Sequence, residues 1–175
     1  MNRLQLQQAP GFTLSYWLKT SQSEQLAMYN STNLNGYEVG LLGGRIYVSL
    51  GTQQYSFAAK QILACNPTAV NDNAWHLLSA TVDKASATLT CYVDGTAGAA
   101  VSYGFLDLGN SLNGLPVIGD YLTGLPPVQF LGSLDDVRLY SRISAGSEVQ
   151  MLFQHSTPTP AAGLQLALDF KKIRP

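Results

Sequence analysis

The sequence predicts an all-β fold, a sandwich or a barrel, on three observations. Ten short segments alternate apolar and polar residues, Gly, Asn, Asp and Pro separate them, and only one stretch carries a helical period. A two-residue period with one apolar side describes sheets that rest one face on a core.

The elements follow in order. "RLQLQ" opens the chain, then "FTLSYWLKT" sets Phe12, Leu14, Tyr16 and Leu18 on one face and Thr13, Ser15, Trp17 and Lys19 on the other. "EQLAMYN", "YEVGLLG" and "RIYVSLG" continue the pattern, and Gly43-Gly44 between the last two predicts a tight hairpin that needs positive φ. After "QYSFAAK", the segment "WHLLSATVD" points Leu78, Ala80 and Val82 one way and Ser79 and Thr81 the other, with Trp75 expected to be largely buried at its start. A turn over Asp83–Ser86 leads into "ATLTCYVDG", which ends at Asp94-Gly95, a dipeptide suited to a primed turn. "LPVIGD" and "GSLDDVRLY" complete the set.

The single helix follows in "SRISAGSEVQMLF". Ser144 is its expected cap, and Val149, Leu152 and Phe153 make the apolar stripe. The capping box is imperfect, since the residue three beyond Ser144 is Ser147 and Glu148 comes one place later. "HSTPTPAAG" cannot continue a helix and reads as a linker; "LQLALDFKKIRP" reads as one more strand and a basic tail.

Composition narrows the function. The 175 residues suit one domain and need neither disulfide nor metal to fold. Charged residues are only 12%, about half the usual share, and Ser, Thr, Asn, Gln, Gly and Tyr replace them. Such a surface suits neutral hydrogen bonds and stacking. A net charge of −1 leaves no footprint for nucleic acid or anionic lipid. No segment has the length of a membrane span, so membrane insertion is not expected. "MNRLQLQQAPGFTL" lacks the apolar core and cleavage site of a signal peptide, which suggests a module excised from an exported parent, or export without such a signal.

Cys65 and Cys91 match neither a zinc pattern nor a CxxC motif. Cys91 is in step with Ala87, Leu89 and Val93, and the plainer reading is a buried free thiol. The alternative, a disulfide closing a loop of about 25 residues, requires an oxidising compartment.

Three pieces stand in a particular order: "GFTLSYWLKT", then "NDNAWHLLSATVDKASATLTCYVDG", then "IGDY" with "FLGSLDDVRLYSRISAGSEVQML". In that order they resemble the laminin G-like domains of the concanavalin A-like lectin/glucanase superfamily, over Gly11 to Phe153. The resemblance implies a two-sheet antiparallel jelly-roll sandwich and noncatalytic recognition of glycans, cell-surface partners or matrix, outside the cell or at its surface. It implies, for some members, a structural calcium near the start of the final strand. The expected organisation is a laminin G-like domain at 1–155, a Pro-rich linker at 156–163, and an extra strand and tail at 164–175. That last strand either starts a following module or fills, as a permuted strand, the slot that family domains fill at their N-terminus. The first is preferred because the linker behaves like a boundary.

The candidate ligand residues are Tyr29, Asn30, Asn33, Asn35 and Tyr37 in the Asn-rich stretch "YNSTNLNGY", with Tyr121. A Tyr ring offers a sugar an apolar face and a hydroxyl, and loops on a rigid scaffold are where sites gather. "NST" at Asn30 is also a glycosylation sequon. Asp135, Asp136 and Asp72 are the candidate calcium ligands, with Asn71, Asn73 and Asp169 as further oxygens, although no segment has the spacing of a self-contained calcium loop. Without a metal, Asp135 and Asp136 are structural carboxylates. Strict alternation puts Asp135 inward with Val137 and Leu139; a bulge beside Gly132 would reverse the two acids.

His76 reads as a core-edge histidine bonded to backbone. Glu24, Glu38 and Glu148 are scattered, with none of the paired spacing a glucanase needs, so no enzyme is expected. Two functions remain: glycan or glycoprotein recognition, and a structural or adhesive module that contacts protein or neighbouring domains of the same parent chain.

Overall fold

The computed structural model describes residues 6–32, 35–52, 61–104, 116–119, 130–155 and 161–170. Most of "RLQLQ" and all of "QYSFAAK" lie outside the described residues.

Among the described residues, twelve strands and one helix run in the order β1 (Gly11–Lys19), β2 (Gln25–Thr32), β3 (Asn35–Leu42), β4 (Arg45–Thr52), β5 (Gln61–Ala69), β6 (Trp75–Asp83), β7 (Thr88–Val93), β8 (Thr96–Ala97), β9 (Val101–Ser102), β10 (Val117–Ile118), β11 (Ser133–Tyr140), α1 (Gly146–Phe153) and β12 (Leu164–Leu168). They form two antiparallel sheets. One is ordered β12-β11-β1-β6-β7-β8 with β9 also on β7; the other is ordered β10-β2-β3-β4-β5. The predicted jelly-roll sandwich is therefore the fold.

The sequence alternation selects the faces. Phe12, Leu14, Tyr16 and Leu18 meet Leu78, Ala80, Val82, Val137 and Leu139 on one side of the core. Met28, Tyr37, Val39, Leu41, Ile46, Val48 and Leu50 close it from the other sheet. Gly43 and Gly44 both take positive φ, +59° and +74°, as their hairpin requires.

The second face of the larger sheet departs from the simple expectation. Thr13, Ser15, Ser79 and Thr81 are buried too. Leu77, Tyr140 and Leu152 form a smaller cluster there, with Trp17, Phe153 and Leu164 packed against it. Trp17 stacks on Phe153 and on His155, with centroids 5.9 Å and 4.9 Å apart. Helix α1 is thus the lid that seals this face. The Ser and Thr hydroxyls beneath it are paired: Ser79 donates to Ser15 at 2.8 Å, and Thr13 donates to the Arg142 carbonyl at 2.8 Å.

The helix cap shifts by one residue. Ala145 is the N-cap and has no side-chain acceptor, so only half a capping box exists: Glu148 accepts from the Ala145 N–H at 2.8 Å. Ser144 is instead buried, its N–H donating to Thr13. Trp75, expected to be largely buried, is half-buried because it stands at the first position of β6, on the rim beside Lys19.

Cys65 and Cys91 are bonded, which corrects the free-thiol reading. Cys65 on β5 and Cys91 on β7 face the core from opposite sheets with Cα atoms 5.2 Å apart, so the bond joins the two layers. By loop entropy a closure over 26 residues contributes about 3 kcal/mol. Urea unfolding with and without a reductant should show that loss, and an unchanged midpoint would mean the bond adds nothing to stability.

Candidate functional site

The outer face of the five-stranded sheet looks away from the sandwich core. Glu38 lies between the core residues Tyr37 and Val39, Ser49 between Val48 and Leu50, and Tyr47 between Ile46 and Val48, so all three point outward. The register aligns them. Val117 pairs with Tyr29, Tyr29 with Glu38, and Glu38 with Ser49, making one row across four strands. In the next row Gly40 pairs with Tyr47. A Cβ on Gly40 would run into the Gln25 carbonyl and sit 3.0 Å from Tyr47 Cε1, so the position requires glycine and the Tyr47 ring lies close beside it. Tyr29 and Ser49 are buried, while Glu38 and Tyr47 are half-buried. At the rim of this face Arg45 is tied down, donating to the carbonyls of Pro67 (2.8 Å) and Gly43 (3.2 Å). Two phenol rings, a carboxylate and a hydroxyl thus share a face that no described strand covers. Such a set can stack on apolar C–H surface and bond to hydroxyls.

The Asn-rich stretch is not a loop. β2 and β3 pair up to Thr32 and Asn35, so only residues 33 and 34 separate the strands. Asn33 and Tyr121 lie outside the described residues, as does the side chain of Asn35. Asn30 and Tyr37 are cross-strand partners on the core side, 3% and 1% exposed. Tyr37 packs its ring 5.4 Å from that of Phe12 and donates its hydroxyl to Met28 Sδ at 3.9 Å. Burial pushes that hydroxyl pKa up. Neither Tyr37 nor the Asn30 sequon is therefore presented to solvent. Of the described sequence candidates for the ligand site, Tyr29 stands on the outer face, where it is buried. Glu38 and Ser49 were missed, and the signal that could have found them was alternation carried through the supposed loop.

The two adjacent acids sit on a β-bulge. Ser15 pairs with Arg138 and Trp17 with Asp135, so Tyr16 faces two residues of β11. Asp136 takes φ +47° there. The bulge reverses the alternation below it: Leu134 pairs with Leu18 and packs on the core, while Asp135 shares the side of Trp17. Both acids are nonetheless buried, at 2% and 8% exposure. Asp135 Oδ1 accepts from the N–H groups of Asp136 (2.7 Å) and Phe170 (3.0 Å). Asp136 takes Arg138 bidentately, at 2.8 Å from Nε and 3.0 Å from Nη2.

These residues do not fit calcium, which wants six to eight oxygens. Both oxygens of Asp136 are held by a guanidinium, and Asp72 belongs to another cluster. Among the described residues no group of three or more His, Cys, Asp or Glu side chains could hold a metal ion.

That other cluster is centred on His76. Its Nδ1 lies 2.8 Å from Asp94 Oδ2 and its Nε2 lies 3.1 Å from Asp72 Oδ1, so its partners are carboxylates rather than backbone. Asp94 also accepts the Leu77 N–H at 2.9 Å, and Asp72 the Ala74 N–H at 2.8 Å. Burial pushes the His76 pKa down, but the hydrogen bonds and charges of Asp94 and Asp72 outweigh it and hold the imidazole above its ordinary value. The Ala74 N–H, then His76, hold Asp72 below the usual carboxylate range.

A family model described as the concanavalin A-like lectin/glucanases superfamily, of laminin G type, matches residues 2–150. No curated protein matches the chain in sequence. Among solved structures, the native heptameric SAP-like pentraxin of Limulus polyphemus superposes with TM-score 0.67 at 13% identity, over 92% of this chain and 81% of that one. A candidate carbohydrate-binding protein from Bacteroides ovatus gives 0.66 at 19% identity, over 91% of this chain and 45% of that one. The binding domain of botulinum neurotoxin DC, solved with rat synaptotagmin II, gives 0.62 at 12%, over 85% and 36%. The chain thus spans less than half of the last two. At these identities the likeness establishes the fold.

A histidine whose folded pKa is raised stabilises fully below its unfolded value, about 6.5, and that stabilisation fades as pH rises through the folded value. The melting midpoint should therefore fall with rising pH above neutrality relative to that of His76→Gln. Parallel profiles for the two proteins would show that His76 titrates alike folded and unfolded.

Proposed function

Because the chain belongs to the concanavalin A-like lectin/glucanases superfamily, we propose that it is a noncatalytic binding module that holds a glycan against the outer face of its five-stranded sheet. The observation that carries this reading is the row Tyr29, Glu38, Ser49 with Tyr47 beside it. Sugars present an apolar ring face edged by hydroxyls; Tyr47 and Glu38, both half-buried, offer a ring and a carboxylate on this face, with Tyr29 and Ser49 buried beside them. A strand-borne site is also rigid, which limits the ordering cost on binding. Structural neighbours named for carbohydrate or receptor binding support the same class.

Hydrolysis of a glycoside needs two carboxyl groups flanking one bond. Glu148 is committed to Arg142, at 2.6 and 2.7 Å, and to the start of α1. Glu38 is the one acid in the row. The module therefore recognises without cleaving.

The Cys65–Cys91 bond fits an oxidising compartment, and the module acts outside the cell or at its surface within a larger exported protein. Among the described residues no helix is long and apolar enough to cross a membrane.

A glycan array followed by titration tests the reading. Tyr47→Ala and Glu38→Gln should each weaken binding about tenfold or more, with the melting midpoint little changed. Silence across a broad array, or binding that both variants leave intact, would remove the sugar site and favour a structural or adhesive module that contacts protein.

A further inference from the structure

Asp135 and Asp136 are placed where the resemblance implies a structural calcium, yet both oxygens of Asp136 and Oδ1 of Asp135 are already taken by donors of the chain itself. We propose that the Arg138 guanidinium and two backbone N–H groups are the fixed partners of these two acids, that this position needs no calcium, and that the arrangement fastens the C-terminal strand β12. The inference is independent of the glycan reading, since none of these residues lies on the five-stranded sheet.

The chain geometry builds the arrangement locally. Arg138 follows Asp136 by two residues and would share its face on a regular strand. The left-handed φ of Asp136 bends the strand instead, and the guanidinium then spans both carboxylate oxygens. The pair is mostly buried, with side-chain exposures of 18% and 11%. A carboxylate so enclosed needs a matched charge, and a second cation brought beside the guanidinium would be repelled by it. Arg138 is always protonated, so unlike a bound ion it does not depend on free metal.

Asp135 turns the bulge into a fastening. Its Oδ1 takes the N–H of Asp136 at the bulge and the N–H of Phe170 just beyond β12. β12 is an edge strand of five residues on β11, with Val137 opposite Leu168. An edge strand that short gains from a charge-assisted bond at its end. At its other end Ser141 donates its N–H to the Gly163 carbonyl at 2.7 Å, and Arg142 donates to that of Ala162 at 2.6 Å. Both ends of β12 are therefore clipped to the closing strand and its exit.

Thermal unfolding and hydrogen exchange test this on the whole chain. The wild-type midpoint should be the same in excess chelator and in millimolar Ca²⁺. Arg138→Met should lower it by roughly 5–15 °C, Arg138→Lys by less, and adding Asp136→Asn to Arg138→Met should recover part of the loss. If Arg138→Met does not fold, the comparison of Arg138→Lys with wild type carries the test. Asp135→Ala should speed exchange of the Phe170 amide about tenfold or more. A midpoint raised by Ca²⁺ but not by Mg²⁺, full stability without the Arg138 charge, or unchanged exchange at Phe170 would each overturn the proposal.

Discussion

The rest of the structure depends on β1 being buried on both faces. Its inner side chains, Phe12, Leu14, Tyr16 and Leu18, are at most 1% exposed and anchor the main core. Its outer Thr13 and Ser15 are covered as well, and each of their hydroxyls has a partner. A buried hydroxyl without one costs about as much as a methylene or two of apolar burial returns. Thr13 satisfies this by donating to Arg142 and accepting from Ser144, which aims the chain from β11 into α1. The hydrogen bonding of one strand thus positions the helix that seals the sheet.

The same central strand governs the bulge. β1 is paired on both sides, with β6 in unbroken register from Gly11 to Lys19, so the mismatch with β11 must be absorbed by β11. Asp136 absorbs it, aspartate being among the residues that tolerate a left-handed backbone best. The acids then meet Arg138 and the amide beyond β12 instead of water. Away from this strand the molecule is fastened by different means: a disulfide where β5 meets β7, and an ion-bonded histidine where the turns before β6 and after β7 converge.

The five-stranded sheet has no helix on its outer face among the described elements. Of its outward residues Glu38 and Tyr47 are half-buried, while Tyr29 and Ser49 are buried. Within this sheet β3 and β4 pair from Asn35–Thr52 through Leu42–Arg45 without a shift, so the outward residues of these two strands keep fixed positions, which loops cannot hold as steadily.

The sequence by itself determined the inner faces of the central strands and their turns, because alternation and turn chemistry are local: Phe12 to Leu18, Leu78 to Val82 and Gly43-Gly44 are as their patterns require, although β5 (Gln61–Ala69) was not among the segments it marked. Its composition carries no charge pattern for nucleic acid or lipid, and its glutamates lack a paired spacing. Where it misled, the cause was non-local. Polar residues in "YNSTNLNGY" resembled a loop because nothing in the stretch reports that Phe12, from a distant strand, receives the Tyr37 ring. Strict counting from Val137 could not place Asp135, because a bulge is chosen by the partner strand's register. Cys91 faced inward on pattern, but only the meeting of two sheets brought its Cα to 5.2 Å from that of Cys65. Pairing across sheets depends on distances that neighbours in sequence do not set, and so tertiary structure decided which polar residues became partners and which remained a surface.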